Sequence, residues 1–242
     1  MAQEVNLEIL AHNLANVNTI AFKEERPLFD LYVSDAVRAD ASPEAAQSAV
    51  WNDRATIVRF SRMLIDFSQG ALMQTGNAFD LALQGEGFFS VQTPKGVQYT
   101  RGGNFRLNEQ GQIVTQEGFP LLSDSGPVAV NGSKISVDRD GRLRVDGEER
   151  AKLALVSLNQ PNQAAKSSYG FYLPASQRAT QKAKGITVHQ GYLERSNVNA
   201  IQGMVRLIEY QRAYETYQKS IQQILGNNGI TSGTVNEVGK VG

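Results

Sequence analysis

The chain carries two histidines, His12 and His189, and no cysteine among its 242 residues. Thiolate nucleophiles, thiolate metal sites, disulfides and iron–sulfur clusters are therefore excluded together, and a multi-histidine metal site is out of reach. Neither histidine stands in a recognisable nucleophile motif; His12 borders Leu10 and Leu14, and His189 falls in a strand-like run, Ile186 to Gln190, so both suit hydrogen bonding in a core or an interface. Gly85-Glu86-Gly87-Phe88-Phe89-Ser90 begins like a dinucleotide fingerprint, but Ser90 replaces the last glycine and no βαβ unit surrounds it, so it reads as a turn. Asp138-Arg139-Asp140-Gly141 is similar to part of a calcium loop, yet Gly141 comes too early in the spacing and a hairpin is favoured. Asn131-Gly132-Ser133 fits a glycosylation sequon and equally a two-residue hairpin turn, which is the reading adopted. The expectation is no catalytic residue, no cofactor and no bound metal.

Charge gives no substitute. Lys plus Arg and Asp plus Glu both number 24, so nothing argues for nucleic acid or an anionic membrane. The chain instead holds 20 Gln and 16 Asn, neutral hydrogen-bonding groups suited to extended polar contacts as well as to turns and caps. No run approaches the roughly 18 apolar residues of a membrane span, and MAQEVNLEIL lacks the basic start and apolar stretch of a cleavable signal. A soluble chain is expected, cytoplasmic or exported without such a signal.

The elements that must position these residues fall in the order helix, linker, β region, helix, tail. Leu7, Leu10, Leu14 and Val17 follow a 3, 4, 3 spacing, one stripe of a helix that Asn16, Asn18 and Thr19 should end. Arg38 to Asp53 is small and polar, a linker with Trp51 as its anchor. From Arg62 to Gly191, short β-branched and aromatic runs such as Gln112 to Thr115, Lys134 to Val137 and Arg142 to Val145 alternate with turn signals. Those signals are Gly102-Gly103, Glu109-Gln110-Gly111, Asn131-Gly132, Asp140-Gly141 and Asp146-Gly147, which predict about ten antiparallel strands. Beyond Ser196-Asn197, the residues Ala200, Gly203, Leu207, Tyr210, Tyr214, Tyr217, Ile221 and Ile224 follow 3, 4, 3, 4, 3, 4, 3, a coiled-coil seam at every step. Gly226 is the expected stop, giving a helix of roughly 40 Å at about 1.5 Å per residue.

The fold class expected is α+β: a discontinuous coiled-coil domain of terminal helices (1–35 and 192–225), a linker (36–61), a central, mainly antiparallel β domain (62–191) and a flexible tail (226–242). Isolated helices of this length are marginal in water, so each stripe needs a partner, and the other terminal helix is the economical one. A two-helix seam still leaves Ile201, Met204 and Ile208 on a neighbouring stripe. Ordinary core helices inside one globule would show the same period, but an adhesive helix pair on a β module also outlines a subunit whose repeated contacts build a helical tube.

Three separated motifs then carry a family resemblance, in order, from Glu4 to Leu225. His12-Asn13-Leu14-Ala15-Asn16-Val17-Asn18-Thr19 with Phe22-Lys23 resembles the N-terminal signature of bacterial flagellar axial proteins. The second comprises Asp66-Phe67-Ser68-Gln69-Gly70, Thr75-Gly76-Asn77, Asp80 to Leu83, Gly85-Glu86-Gly87-Phe88-Phe89, Tyr99-Thr100-Arg101 and Gly118 to Leu122. The third is Gly191-Tyr192-Leu193-Glu194 and Ser196-Asn197-Val198-Asn199, followed by Glu209 to Glu215, which contains Gln211, Arg212, Ala213 and Tyr214. Together they resemble the basal-body rod and hook family, and the compact single β region is most similar to proximal-rod members.

That resemblance implies a non-enzymatic, torque-transmitting subunit of the rod, placed in the periplasmic part of the basal body after type III flagellar export without signal cleavage. Its implied partners are its own copies, other rod and hook proteins and the export apparatus, with no nucleic acid and no small-molecule substrate. The stripe Leu7, Leu10, Leu14, Val17 and the seam Leu207, Tyr210, Tyr214, Tyr217, Ile221, Ile224 would then be the assembly interface. A distal-rod or hook subunit is the alternative within the family. An extracellular glycan-binding module is the alternative outside it; its signature would be exposed aromatics on one β face, whereas Phe88, Phe89 and Tyr99 read as core alternation. The resemblance also implies helical residues ahead of Met1, and a glycine where Ala21 stands, which would strain the alanine if φ there is positive.

Overall fold

Asn16 and Thr19 terminate the first helix as their chemistry dictates. The Thr19 amide donates to the Asn16 carbonyl at 3.1 Å and its hydroxyl to the Asn16 side chain at 3.1 Å, taking groups that a further helical turn would use. The computed structural model describes residues 2–33, 56–132, 134–174 and 180–238. Helix α1 spans Ala2–Ala15, helix α2 spans Ala200–Val238, and short strands fill most of the interval between them, so the architecture is α+β. Every described strand pairing with a defined register is antiparallel.

The largest sheet has six strands in the order Ala165–Lys166, Tyr172–Leu173, Gly96–Thr100, Phe88–Thr93, Leu155–Leu158, Thr180–Lys182. A three-stranded meander, Ile135–Val137, Arg142–Val145 and Glu148–Lys152, lies where its turn residues put it. Asp146 and Gly147 sit at φ 51° and 91°, the two positive values that a two-residue hairpin of matching twist requires. Alternation then sends Leu83, Phe89, Val91, Leu121, Leu143, Leu153 and Val188 into one buried cluster; each large side chain so buried contributes about 1.5 to 3 kcal/mol. Phe88 faces a second cluster with Ile65 and Tyr172, and Phe67 meets both rings edge-on, 5.4 and 4.9 Å away.

Four expectations need correction. The turn pair Gly102-Gly103 does not make a hairpin: a Cβ on Gly103 would lie 1.6 Å from the Leu81 carbonyl oxygen, so glycine there serves close backbone approach. Asn131-Gly132 joins strands of different sheets rather than a paired hairpin, because Gly132 sits against Val145 and Asp146 without a positive φ. Glu25–Val33 and Thr56–Ile65, read as helical-domain end and linker, pair as a two-stranded sheet in which Phe29 and Phe60 touch edge-on at 6.1 Å. Pro27 masked the first strand, but a two-stranded ribbon is all edge and tolerates proline. Finally, α2 passes through Gly226 to Val238; glycine in a helix costs about 1 kcal/mol against alanine yet keeps its N–H, so the ladder continues. Trp51, and with it most of the proposed linker, lies outside the described residues.

The chain divides into two units: Met1–Leu14 with Pro27–Arg62 and Ala200–Gly242, and Ala15–Arg26 with Met63–Asn199. Residues 15–26 and 192–199, expected with the helices, thus belong to the β unit.

Candidate functional site

Lys23 follows Phe22 at the point where the chain enters the β unit, and Glu194 ends the strand Tyr192–Glu194 where it leaves. Both side chains are fully buried, and Lys23 Nζ lies 2.6 Å from Glu194 Oε1, a contact between residues 171 apart in sequence. Lys23 also donates to the Ser68 carbonyl at 2.7 Å, and the Gly70 amide donates to Glu194 Oε1 at 2.9 Å. Arg101 approaches Glu194 Oε2 at 3.5 Å and donates to the carbonyls of Leu83 and Gly85. Burial pushes Lys23 below its ordinary value; the attraction and hydrogen bond of Glu194 oppose this, and the Arg101 charge adds to it. Burial lowers Arg101 likewise, against Glu194 and Glu86. A Cβ on Gly70 would sit 2.0 Å from the Arg195 carbonyl oxygen, so only glycine lets the two chain segments meet here.

Asn197 fastens the same place with neutral groups. Its Oδ1 accepts from the Glu24 amide at 2.8 Å, and its Nδ2 donates to the Asp66 carbonyl at 2.8 Å and to Ser68 Oγ at 3.0 Å. The Ala21 amide donates to the Glu194 carbonyl at 2.8 Å, and Lys166 Nζ stands over the Phe22 ring at 4.5 Å. Asp66 is pushed up by partial burial but held below its usual range overall by the Ser68 amide and hydroxyl, with Arg26 and Lys23 adding to the lowering. We call this network the clasp.

Ala21 adopts φ 54° and is buried, the left-handed conformation that its position raised as a question. Ala21→Gly relieves the strain of a Cβ in that region, worth about 1–2 kcal/mol, and gives back part of it through a lost buried methyl and a freer unfolded chain. Thermal unfolding should therefore place Ala21→Gly within about 1 kcal/mol of the parent, and Ala21→Val, β-branched at positive φ, at least about 2 kcal/mol below it. Equal stability of all three would show that the backbone is unstrained there.

Other motif residues help to build this unit. Asn77 Nδ2 donates to Asp80 at 3.1 Å and its Oδ1 accepts from the Phe79 amide at 3.2 Å; Gly76 lies against Gly191 at φ 76°. Gly85 takes φ 106°, Gly87 faces the Ile186 side chain, and Phe88 and Phe89 are buried. Ser196 Oγ accepts from the Val198 amide at 3.2 Å. His189 meets Gln84 at 2.8 Å, and among the described residues no cluster of His, Asp and Glu is placed to hold a metal.

The helical residues vary in burial. On α1 the buried positions are Ile9 and Asn13, while Leu7, Leu10 and Leu14 are half-buried, as is Val17 beyond it; Ala15 is exposed. On α2, Leu207, Tyr210, Ala213 and Tyr214 are half-buried, Gln211, Arg212, Tyr217 and Ile221 are exposed, and the side chain of Ile224 lies outside the described residues. Phe22, a motif residue, accepts from the Asn197 amide through its carbonyl, and Lys23 beside it meets Glu194; Glu194 and Arg101 lie inside quoted motifs with no local signal of their pairing with Lys23.

Residues 82–145 match the flagellar hook protein FlgE/F/G D1 domain and residues 189–227 the C-terminal region of the flagellar basal body rod FlgEFG proteins. The flagellar basal-body rod protein FlgF of Caulobacter vibrioides is 34% identical over 97% of this chain and 92% of its own length. The rod protein FlgG of Buchnera aphidicola from Acyrthosiphon pisum is 33% identical over 91% and 90%, and FlgF of Rhizobium meliloti 34% over 89% and 85%. The chain belongs to the flagellar basal-body rod protein family. Within this rod protein, Arg101 falls in the first matched region and Glu194 in the second, while Lys23 precedes both; the clasp joins the two regions, as does the pairing of Leu81–Gln84 with Thr187–Gln190.

Proposed function

We propose that this chain is a structural subunit of the flagellar basal-body rod, of the proximal type, that assembles with its own copies and with other rod and hook proteins through α1 and α2. The reading rests on membership of the rod family and on one observation: α2 carries an unbroken apolar seam and a second apolar stripe, with Met204, Val205, Ile208, Tyr217 and Ile221 each about half or more exposed. A helix with apolar residues on two faces is completed by neighbours on both. Side-by-side helices from successive subunits, in coiled-coil register, bury those faces and leave the β unit outside. Contacts of one kind repeated with a non-closing rotation give a shaft. Export through the flagellar type III apparatus and a final place in the periplasmic rod follow from the same reading.

Electron microscopy of isolated basal bodies at side-chain resolution tests it. The sequence of this chain should fit density in the axial shaft, with α2 lining the shaft and deletion of the chain leaving no rod. Its density outside the shaft, or complete rods without it, would overturn the proposal.

A further inference from the structure

Phe88 and Phe89 are buried, as core alternation requires, but another aromatic group of the β unit brings one ring to solvent. Phe171, buried in the core, touches Phe119 at 5.7 Å; Phe119 touches Tyr169 at 5.8 Å; and Tyr169 is 68% exposed. These rings step from the core to solvent along a cleft of about 260 Å³, with Lys95, Gln98 and Ser167 also in its lining. That volume suits a sugar ring or two rather than the roughly 300–1,000 Å³ of drug-sized sites. Gln98, 2% exposed, brings a side-chain amide to this lining.

Tyr169 stands at φ 64°, ψ 19°, followed by Gly170 at φ 73°, in the turn between Ala165–Lys166 and Tyr172–Leu173. Asn or Gly is the favoured residue at such a position; a tyrosine is strained there. The chain thus holds a large ring in an unfavourable backbone conformation, supported from beneath by two phenylalanines and open to water. Local preference is overridden at a solvent-facing position, which is where function is expected to show.

We propose that this cleft binds an acidic glycan: a pyranose ring lies with its C–H face on Tyr169, an acetamido or hydroxyl group meets the Gln98 amide, and a sugar carboxylate pairs with Lys95. The negative face of the aromatic ring attracts the electropositive C–H groups of the sugar, and the ring costs little entropy to immobilise. Binding here is independent of the helical seam and of rod assembly.

The test titrates the full-length chain with two soluble probes, N-acetylglucosaminyl-N-acetylmuramic acid, which carries a carboxylate, and neutral chitobiose, followed by ligand-observed NMR. The acidic disaccharide should bind at about millimolar Kd or better and several-fold tighter than chitobiose. Lys95→Gln should remove that preference and leave chitobiose binding unchanged. Tyr169→Asn should lose binding at least tenfold while the melting temperature holds or rises, since asparagine fits the left-handed position. That opposition separates a ligand platform from a structural ring. No binding of either probe to the parent chain, unchanged binding in Tyr169→Asn, or a clear drop in its melting temperature would each overturn the proposal; equal affinity for the two probes would overturn its acidic specificity.

Discussion

Cells producing the chain with Tyr214→Asp and Ile221→Asp together should contain a folded, stable β unit and no complete rod. In the single chain Ile221 is 56% exposed and Tyr214 half-buried, so aspartate at either place costs the monomer little. In a desolvated helix interface each carboxylate would be buried without a partner, at a cost of several kcal/mol per site, repeated at every subunit contact. Repetition makes the effect on assembly far larger than on folding. The variant should keep the circular dichroism and the protease-resistant core of the parent, with motility and filaments lost. Normal swimming would mean that the seam is not the assembly surface. Loss of the β unit as well would mean that α2 is a core element of one globule.

The second large effect concerns the clasp. Glu194→Ala removes the carboxylate that receives Lys23, Arg101 and the Gly70 amide, leaving two buried cations with carbonyl partners only. Breaking a buried pair from one side costs about 3–5 kcal/mol, a large part of the stability of a domain this size. Replacing both members, Lys23→Met with Glu194→Leu, should recover much of that loss, because the double change removes the stranded charge as well as the attraction. Denaturant unfolding monitored on the β unit reads both. A Glu194→Ala variant within about 1 kcal/mol of the parent would show that the pair carries no such burden.

Arg142–Val145 and its neighbour Ile135–Val137 lie where alternation put them, and Asp146-Gly147 makes the turn expected of it, since these features depend on a few adjacent residues. His189 lies on a strand and hydrogen-bonds Gln84, in keeping with the role given to it. Gly102-Gly103 misled because a glycine pair signals a turn and a close backbone contact in the same letters. The ribbon of Glu25–Val33 with Thr56–Ile65 was missed because its pairing partner is remote and Pro27 weighs against a strand. Lys23 with Glu194 was illegible for a stronger reason: no periodicity links residues 171 apart, and a lysine followed by a charged run reads as surface until its neighbours are known.

The clasp also fixes an order of events. Bringing residues 23 and 194 together closes a long loop, an entropic cost of about 4–5 kcal/mol on simple chain statistics, which the intervening sheets must already have met by folding. Until Glu194 arrives, Lys23 has no buried anion to meet and stays in water. For a chain delivered amino end first, the residues around Lys23 are thus the earliest to emerge and the latest in the β unit to settle.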